Sequence, residues 1–324
     1  MKECGEAAFK KKPAPTKPAE TPDCKAAEIE AWVRATEGPF HVTALRRDLG
    51  LDGNKKDRDH VAQILLRLKR SMVIEATGKR AGEYRLLVKD MIPVNWKDAV
   101  PESMELTFPF GIEKLVNIYP KSVMVIAGRS NAGKTAFLLD FVKRNMGNYV
   151  IHYFSSEMGE SEARRRLELH EDVHLESWDF KMWDRAAHFA DVIQANAVNI
   201  IDYLESLEAE EYKVKAYISQ IWQKLDRGVA LIAIQKNKGR DIGRGGEATL
   251  DRARLYIAID DGIIKIVKAK NWATFKNPNG LIRKFKLVQG WNFIGESDWM
   301  SVDEARLRGL LPEPEKPRDK FKIG

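Results

Sequence analysis

Gly128-Arg129-Ser130-Asn131-Ala132-Gly133-Lys134-Thr135 fits the pattern G-x-x-x-x-G-K-[ST]. The residues on either side decide how it is read. Upstream, Ser122–Ala127 is a continuous apolar run that reads as a buried strand. Downstream, Ala136–Lys143 carries apolar residues at helical spacing. Strand, glycine-rich loop and helix in that order are the context this pattern needs. Each part has a mechanical task. The glycines let successive backbone N–H groups turn inward around a phosphate. The Lys134 ammonium reaches the β- and γ-phosphates, and the Thr135 hydroxyl ligates Mg²⁺. The helix adds the positive end of its dipole. A nucleoside triphosphate site at Gly128, Arg129, Ser130, Asn131, Ala132, Gly133, Lys134 and Thr135 is the first expectation, and an α/β fold is the second.

The rest of the chain has the bulk to support such a fold. Its 324 residues suit two domains, and 44% hydrophobic content can fill a sizeable core. A formal charge of +7 favours an acidic partner, nucleic acid first. The two cysteines, Cys4 and Cys24, flank a Pro- and Lys-rich stretch and suggest no disulfide framework. No apolar run is long enough to span a bilayer, and the N-terminus lacks the apolar stretch of a signal peptide. These features predict a soluble cytoplasmic protein with no membrane partner.

Composition divides the chain into segments. Residues 1–24 read as a disordered basic tail, with Lys10-Lys11-Lys12 and four prolines. Residues 25–89 read as three short helices, Ala26–Ala35, Val42–Leu49 and Asp57–Arg70. A hairpin follows, Met72–Glu75 and Tyr84–Val88, around a basic tip at Gly78–Gly82. Three helices and a hairpin resemble a small α+β winged-helix module. Residues 90–107 read as a linker. From 108 to 311, strands and helices alternate. Strands are expected at 122–127, 149–154, 197–201, 229–234, 255–260, 263–269 and 281–288, in a mainly parallel sheet with helices on both faces. Asn277–Gly280 reads as a hairpin turn, Ser301–Glu304 as a capping box opening a last helix, and residues 312–324 as a flexible tail.

Other chemistry-bearing residues stand at strand ends. Glu157 follows the strand at 149–154, taken as the neighbour of the loop-bearing strand, where a carboxylate can orient water against a γ-phosphate. Asp202 ends the apolar run from Ala197, the arrangement that presents a carboxylate to a metal shell. Gln235 ends Val229–Ile234 and is placed to sense the γ-phosphate. Lys236, Lys238, Arg240 and Arg244 occupy a Gly-rich loop that suits sequence-independent phosphate contact. Lys55, Lys56 and Arg58 on the third helix, with Lys79 and Arg80 on the hairpin tip, suit docking on duplex DNA. The alternative for the module is protein contact. His170-Glu171-Asp172-Val173-His174 matches H-E-x-x-H, but no third ligand follows, and the match reads as coincidental.

The order Gly128–Thr135, Ser156-Glu157-Met158, Ile200–Leu204 and Gln235 resembles the RecA-like core of DnaB-type replicative helicases. Phe110–Leu115 is similar to that family's lead-in, and the similarity spans residues 107–290. The resemblance implies a RecA-like P-loop ATPase core, with ATP and Mg²⁺ as cofactors. It implies that Lys134 and Thr135 bind phosphate and metal, that Glu157 orients water, that Asp202 serves the metal and that Gln235 is the sensor. It also implies a homo-oligomer, with a hexameric ring as one form, and single-stranded DNA as partner of the core. A neighbouring subunit supplies a cationic finger in such ATPases. The matching positions here are Lys268 and Lys270, a Lys-x-Lys where the family has Lys-x-Arg. Lysine keeps the charge and loses the bidentate fork.

Two readings follow. One is a nucleic-acid-stimulated ATPase, a helicase or translocase in replication of a phage, plasmid or similar element. The other is a nucleotide-switched regulator, loader or recombination accessory that binds DNA without unwinding it. The missing arginine, the short span from Glu157 to Asp202 and the lack of the usual helical primase-contact domain motivate the second.

Overall fold

The computed structural model describes residues 22–311, apart from residues 37, 90, 92, 205–210 and 261. Most of the expected N-terminal tail and all of 312–324 lie outside the described residues. The chain splits into two compact units between Ala99 and Val100.

The first unit runs α1 (Pro22–Ala35), β1 (Pro39–His41), α2 (Val42–Asp48), α3 (Lys55–Arg70), β2 (Ile74–Ala76) and β3 (Glu83–Leu86). On α3, Val61, Ile64, Leu65 and Leu68 recur at helical spacing and are all buried. They pack with Ile29, Val33, Phe40, Leu45 and Ile74 into one core. Asn54 caps α3, its side-chain oxygen accepting from the Asp57 N–H at 2.8 Å. The hairpin of β2 and β3 forms as the sequence predicts. An unexpected strand, β1, pairs antiparallel with β3 and makes a three-stranded sheet in the order β1-β3-β2. A three-residue strand between two helices is too short to show a period in sequence.

The second unit is α/β. It comprises β4 (Ser122–Gly128), α4 (Lys134–Asn145), β5 (Ile151–Ser155), α5 (Glu160–Glu168), β6 (Lys181–Asp184), β7 (Val198–Leu204) and α6 (Glu211–Lys224). These are followed by β8 (Val229–Gln235), β9 (Ala253–Asp260), β10 (Ile263–Ala269), β11 (Ile282–Val288), β12 (Asn292–Gly295) and α7 (Val302–Leu307). Nine strands form one sheet in the order β12-β11-β10-β9-β4-β8-β7-β5-β6. From β9 to β6 every pairing is parallel; β10, β11 and β12 add an antiparallel extension.

The central strands are apolar throughout because both faces are covered. Along β4, Met124 and Ile126 turn to one face and join Phe137, Leu138 and Phe141 of α4. Val123, Val125 and Ala127 turn to the other and join Val214, Ile218 and Ile221 of α6. Alternation of period two thus splits one run between two cores. The lead-in before β4 belongs to this unit: Leu106 and Phe108 are buried, and the Met104 N–H donates to the Ile118 carbonyl at 2.7 Å.

Two expectations about the sheet need correction. The strand before Glu157 does not neighbour the loop-bearing strand. β4 lies between β8 and β9, and β5 stands beyond β7. β10 and β11 do pair antiparallel, and the Leu281 N–H donates to the Pro278 carbonyl at 3.1 Å, but Asn277–Gly280 does not close the pair as a tight turn. β10 ends at Ala269 and β11 begins at Ile282, so the asparagines sit in a wide connection, where the Asn279 side chain accepts from the Ala269 N–H at 2.5 Å. The capping box holds: the Ser301 hydroxyl accepts from the Glu304 N–H at 3.1 Å and opens α7.

Candidate nucleotide site

The parallel strands β4, β8, β7 and β5 all end on the same edge of the sheet, and the residues that follow them converge there. Residues 128–135 turn from β4 into α4 with Asn131 at φ 61° and Gly133 at φ 98°. Side chains are refused at two points. A Cβ on Gly128 would lie 2.6 Å from Ile259 Cγ2 and 2.8 Å from Lys134 Cγ. A Cβ on Gly133 would meet Leu287 at 3.1 Å in a backbone conformation that disfavours one. The pattern's glycines are therefore demanded by the packing of the loop as well as by any ligand.

Around the loop lies a cleft lined by Lys134, Thr135, Glu157, Asp202 and Gln235, together with Ser130, Asn131, Gly133, Ala136, Arg166, Tyr203, Leu287 and Gly290. Residues singled out from three strand ends and one loop thus meet in one place, although they stand far apart in sequence.

Lys134 is buried, and its ammonium folds back to donate to the carbonyls of Arg129 at 2.8 Å and Gly128 at 3.2 Å. Burial holds it below the usual lysine range, while Asp202 and Glu157 act in the opposite sense. Arriving phosphate oxygens would offer this ammonium stronger acceptors than two carbonyls.

Asp202 is buried at the end of β7. The Tyr153 hydroxyl donates to its carboxylate at 2.6 Å, and the Thr135 hydroxyl bonds to it as well. Burial pushes the Asp202 carboxyl above the usual carboxylate range; the bonds from Tyr153 and Thr135 and the charge of Lys134 oppose that shift. The same pair pushes the Tyr153 hydroxyl well above the usual phenol range, by burial first and the Asp202 charge second. One hydroxyl and one carboxylate in contact form a hard oxygen pair of the kind Mg²⁺ takes when substrate phosphates and water complete its shell. Among the described residues no group of three or more His, Cys, Asp or Glu could hold a metal alone. Thr135 and Asp202 fit Mg²⁺ delivered with a nucleotide.

Glu157 reaches the cleft although β5 is distant from β4. Ser156 hooks the end of β5 onto the end of β7: its hydroxyl donates to the Tyr203 carbonyl at 3.2 Å and accepts from the Tyr203 N–H at 3.2 Å. The Ser155 hydroxyl accepts from the Met158 N–H at 2.9 Å and turns the chain into α5. Glu157 is left exposed at the mouth. The peptide between Asp202 and Tyr203 is cis.

Gln235 stands level with Gly128 across the β4–β8 ladder. Its carbonyl accepts from the Arg244 N–H at 2.7 Å, and the Lys236 N–H donates to the Gly128 carbonyl at 3.1 Å. The loop that follows is pinned rather than loose. Lys236 bridges Gly243, and the Gly243 N–H donates to the Tyr256 hydroxyl at 2.8 Å. Lys236 itself is corrected as a nucleic-acid contact. It is buried, with its ammonium 2.7 Å from Asp260 Oδ2 and donating to the Arg240 carbonyl at 2.7 Å. Asp260 also takes Arg129 of the loop of residues 128–135 at 2.8 Å. Lys238 and Arg240 are exposed as expected; Arg244 is half-buried.

Lys268 and Lys270 are not brought to this cleft. They close β10, which runs antiparallel to β9 and carries them away from the edge where Gly128 lies. Lys268 donates to the Leu250 carbonyl, and burial with the adjacent charge of Lys270 holds it below the usual lysine range. Lys270 is exposed. In the first unit, Lys55, Lys56, Arg58, Lys79 and Arg80 are all exposed. His170 and His174 share no helix. His170 is buried between the rings of Trp178 and Trp291, at 5.2 and 4.7 Å, beyond the end of α5.

Sequence reasoning passed over Tyr153, Arg166 and the pair Leu287 and Gly290. A tyrosine inside an apolar strand was a signal for a buried hydroxyl seeking a partner. The other three had none, because the cleft wall they form comes from α5 and the β11–β12 turn.

No protein-family model matches the sequence, and no curated protein sequence matches it. Solved structures do. The crystal structure of the RadB recombinase aligns over 54% of this chain and 91% of its own, at 13% identity and a TM-score of 0.41. A second solved structure, that of an ATPase domain, aligns over 61% of this chain and 94% of its own, at 15% identity and a TM-score of 0.46. These likenesses concern the fold.

Proposed function

We propose that this chain is a RecA-like ATPase that binds ATP with Mg²⁺ and couples the bound state to DNA. The observation that carries the reading is the meeting of Lys134, Thr135, Glu157, Asp202 and Gln235 around one cleft. Their roles follow from position. Lys134 and the turn of residues 128–135 hold the phosphates, with the N-terminus of α4 behind them. Bound Mg²⁺ would supply charge neutralisation between the phosphates, held by Thr135 and Asp202. Glu157, at the mouth, orients a water for in-line attack. Gln235 lies where it can report the terminal phosphate to the loop carrying Lys238, Arg240 and Arg244.

The order of elements in residues 22–89, with its three-stranded sheet, supports a winged-helix module. Lys55, Lys56 and Arg58 stand in the first turn of α3, where positive charge opposes the helix dipole. They do not serve the helix, so phosphate contact is their better explanation. A replicative helicase or translocase acting as a homo-oligomer is the fuller form of this reading. The second reading, a nucleotide-switched DNA-binding protein, is favoured by one observation: Lys268 is engaged with its own chain.

The test is ATP turnover by the full chain with and without single-stranded DNA, alongside Glu157→Gln. Stimulated turnover that falls by about 10²–10⁴-fold in the variant, with ATP still bound, supports the assignment. Turnover unaffected by both DNA and the substitution refutes it. ATP-driven strand displacement favours the motor; tight ATP-dependent DNA binding without displacement favours the switch.

A further inference from the structure

The cleft holds a cation that neither the loop motif nor the Lys-x-Lys strand accounts for. α5 carries three consecutive arginines, Arg164, Arg165 and Arg166. Each successive residue is rotated by about 100° around a helix, so they face three directions. Arg164 pairs along the surface with Glu168 at 2.8 Å. Arg166 follows the buried Ala163 by one turn and is the one that lines the nucleotide cleft. Its guanidinium is close enough to Asp202 and Tyr153 for its charge to act on both.

Among the described residues, Arg166 is held by one weak partner. Its Nε donates to Glu162 Oε1 at 2.9 Å, and a terminal nitrogen lies 2.8 Å from the same oxygen. The pair is half-exposed, spaced i to i+4, and of the class that contributes little. A triphosphate terminus bears more charge than one carboxylate and presents several acceptor oxygens, so it outcompetes Glu162 for the fork. Lys134 is already assigned to the phosphates by the loop motif, and Lys268 and Lys270 lie away from the cleft. Among the described residues that line the cleft, Arg166 is the cation that remains for a γ-phosphoryl group.

We propose that Arg166 turns from Glu162 to the terminal phosphate of the bound nucleotide and serves, within the same chain, as the arginine that stabilises charge during hydrolysis. The proposal rests on the ATPase reading above and deepens it. The Lys-x-Lys departure then costs the enzyme less than it would in an ATPase whose only finger comes from a neighbour. Glu162 is only the resting partner that the guanidinium leaves, and it takes no part in hydrolysis.

The experiment compares wild type, Arg166→Ala, Arg166→Lys and Glu162→Gln as full chains, by steady-state turnover and by binding of ADP with and without aluminium fluoride. For Arg166→Ala, kcat is expected to fall by about 100-fold or more. Its ADP affinity should stay within about two-fold, and the tightening by aluminium fluoride should vanish, because transition-state binding alone is lost. Arg166→Lys should recover part of kcat, since it keeps the charge without the fork. Glu162→Gln should retain wild-type turnover. Arg166→Ala turning over ATP within about three-fold of wild type, or losing ADP and the fluoride complex equally, overturns the proposal while leaving the ATPase reading intact. A wild type that binds nucleotide and never hydrolyses it removes both. Thermal melts identify loss by unfolding, in which case Arg166→Lys decides by the same two readouts.

Discussion

Replacing Asp260 by alanine should destabilise the second unit by an amount the structure allows to be worked out. Asp260 ends β9 and takes Lys236 on one oxygen at 2.7 Å and Arg129 on the other at 2.8 Å. The Lys236 side chain is 2% exposed, so its ammonium cannot turn to water once the carboxylate is gone. Removing one partner of a buried ion pair costs about 3–5 kcal/mol. Two features reduce that figure: Asp260 is itself 32% exposed, and Lys236 keeps the Arg240 carbonyl. A loss of about 2–3 kcal/mol is expected. For a unit of this size about 1 kcal/mol moves the midpoint by roughly 2–4 °C, so the melt should fall by about 4–12 °C. Differential scanning calorimetry of the nucleotide-free chain measures it. Adding Lys236→Met, which removes the stranded charge at similar length, should recover much of the loss. A fall under about 2 °C, or no recovery in the double variant, would refute the claim that Lys236 depends on this carboxylate.

Lys134→Ala should abolish binding of a fluorescent ATP analogue, and retained affinity would remove the phosphate role assigned to Lys134. Asp202→Asn should raise the melting temperature of nucleotide-free protein at neutral pH while eliminating Mg²⁺-dependent turnover. The sign follows from burial, which raises the Asp202 carboxyl above its unfolded value. The folded state thus favours the protonated form, the wild type loses stability as pH rises through that raised value, and the advantage of asparagine should disappear as pH falls through the carboxylate range. An advantage independent of pH would contradict it. Lys79→Ala with Arg80→Ala should weaken duplex binding and lower the slope of log affinity against log salt by about two, one per lost phosphate contact; an unchanged slope would make the hairpin a protein-contact element.

Much of the core was legible because its signals are local. The apolar runs of β4, β7, β8 and β9 are long, and burial on both faces keeps them free of interruption. The loop of residues 128–135 declares itself because its packing demands the glycines that the motif pattern requires. Strand order was not legible: placing β5 beside β4 failed, since nothing in a run of apolar residues says which neighbour it takes. Lys236 misled for a related reason. A lysine in a Gly-rich basic loop looks solvated until Asp260, from a strand not yet placed, is found beneath it. β6 and β12, at four residues each, are too short to show a period. Arg166 sat in a run of charge that reads as an exposed helix face, and only the position of α5 against the cleft distinguishes it.

The turn between β11 and β12 changes what counts as the candidate nucleotide site of this chain. Leu287 and Phe293 pack against the position of Gly133, and Gly290 lines the cleft. Phe293 also meets the Phe110 ring edge-on, and Arg283 holds the Phe110 carbonyl at 2.9 Å, so the segment before β4 is clasped by the same hairpin. A fragment trimmed after β9 would keep every motif residue from Gly128 to Gln235 and still lack one wall of its pocket. Boundaries drawn by motif would cut through the site; boundaries drawn by contact must run from the lead-in through β12.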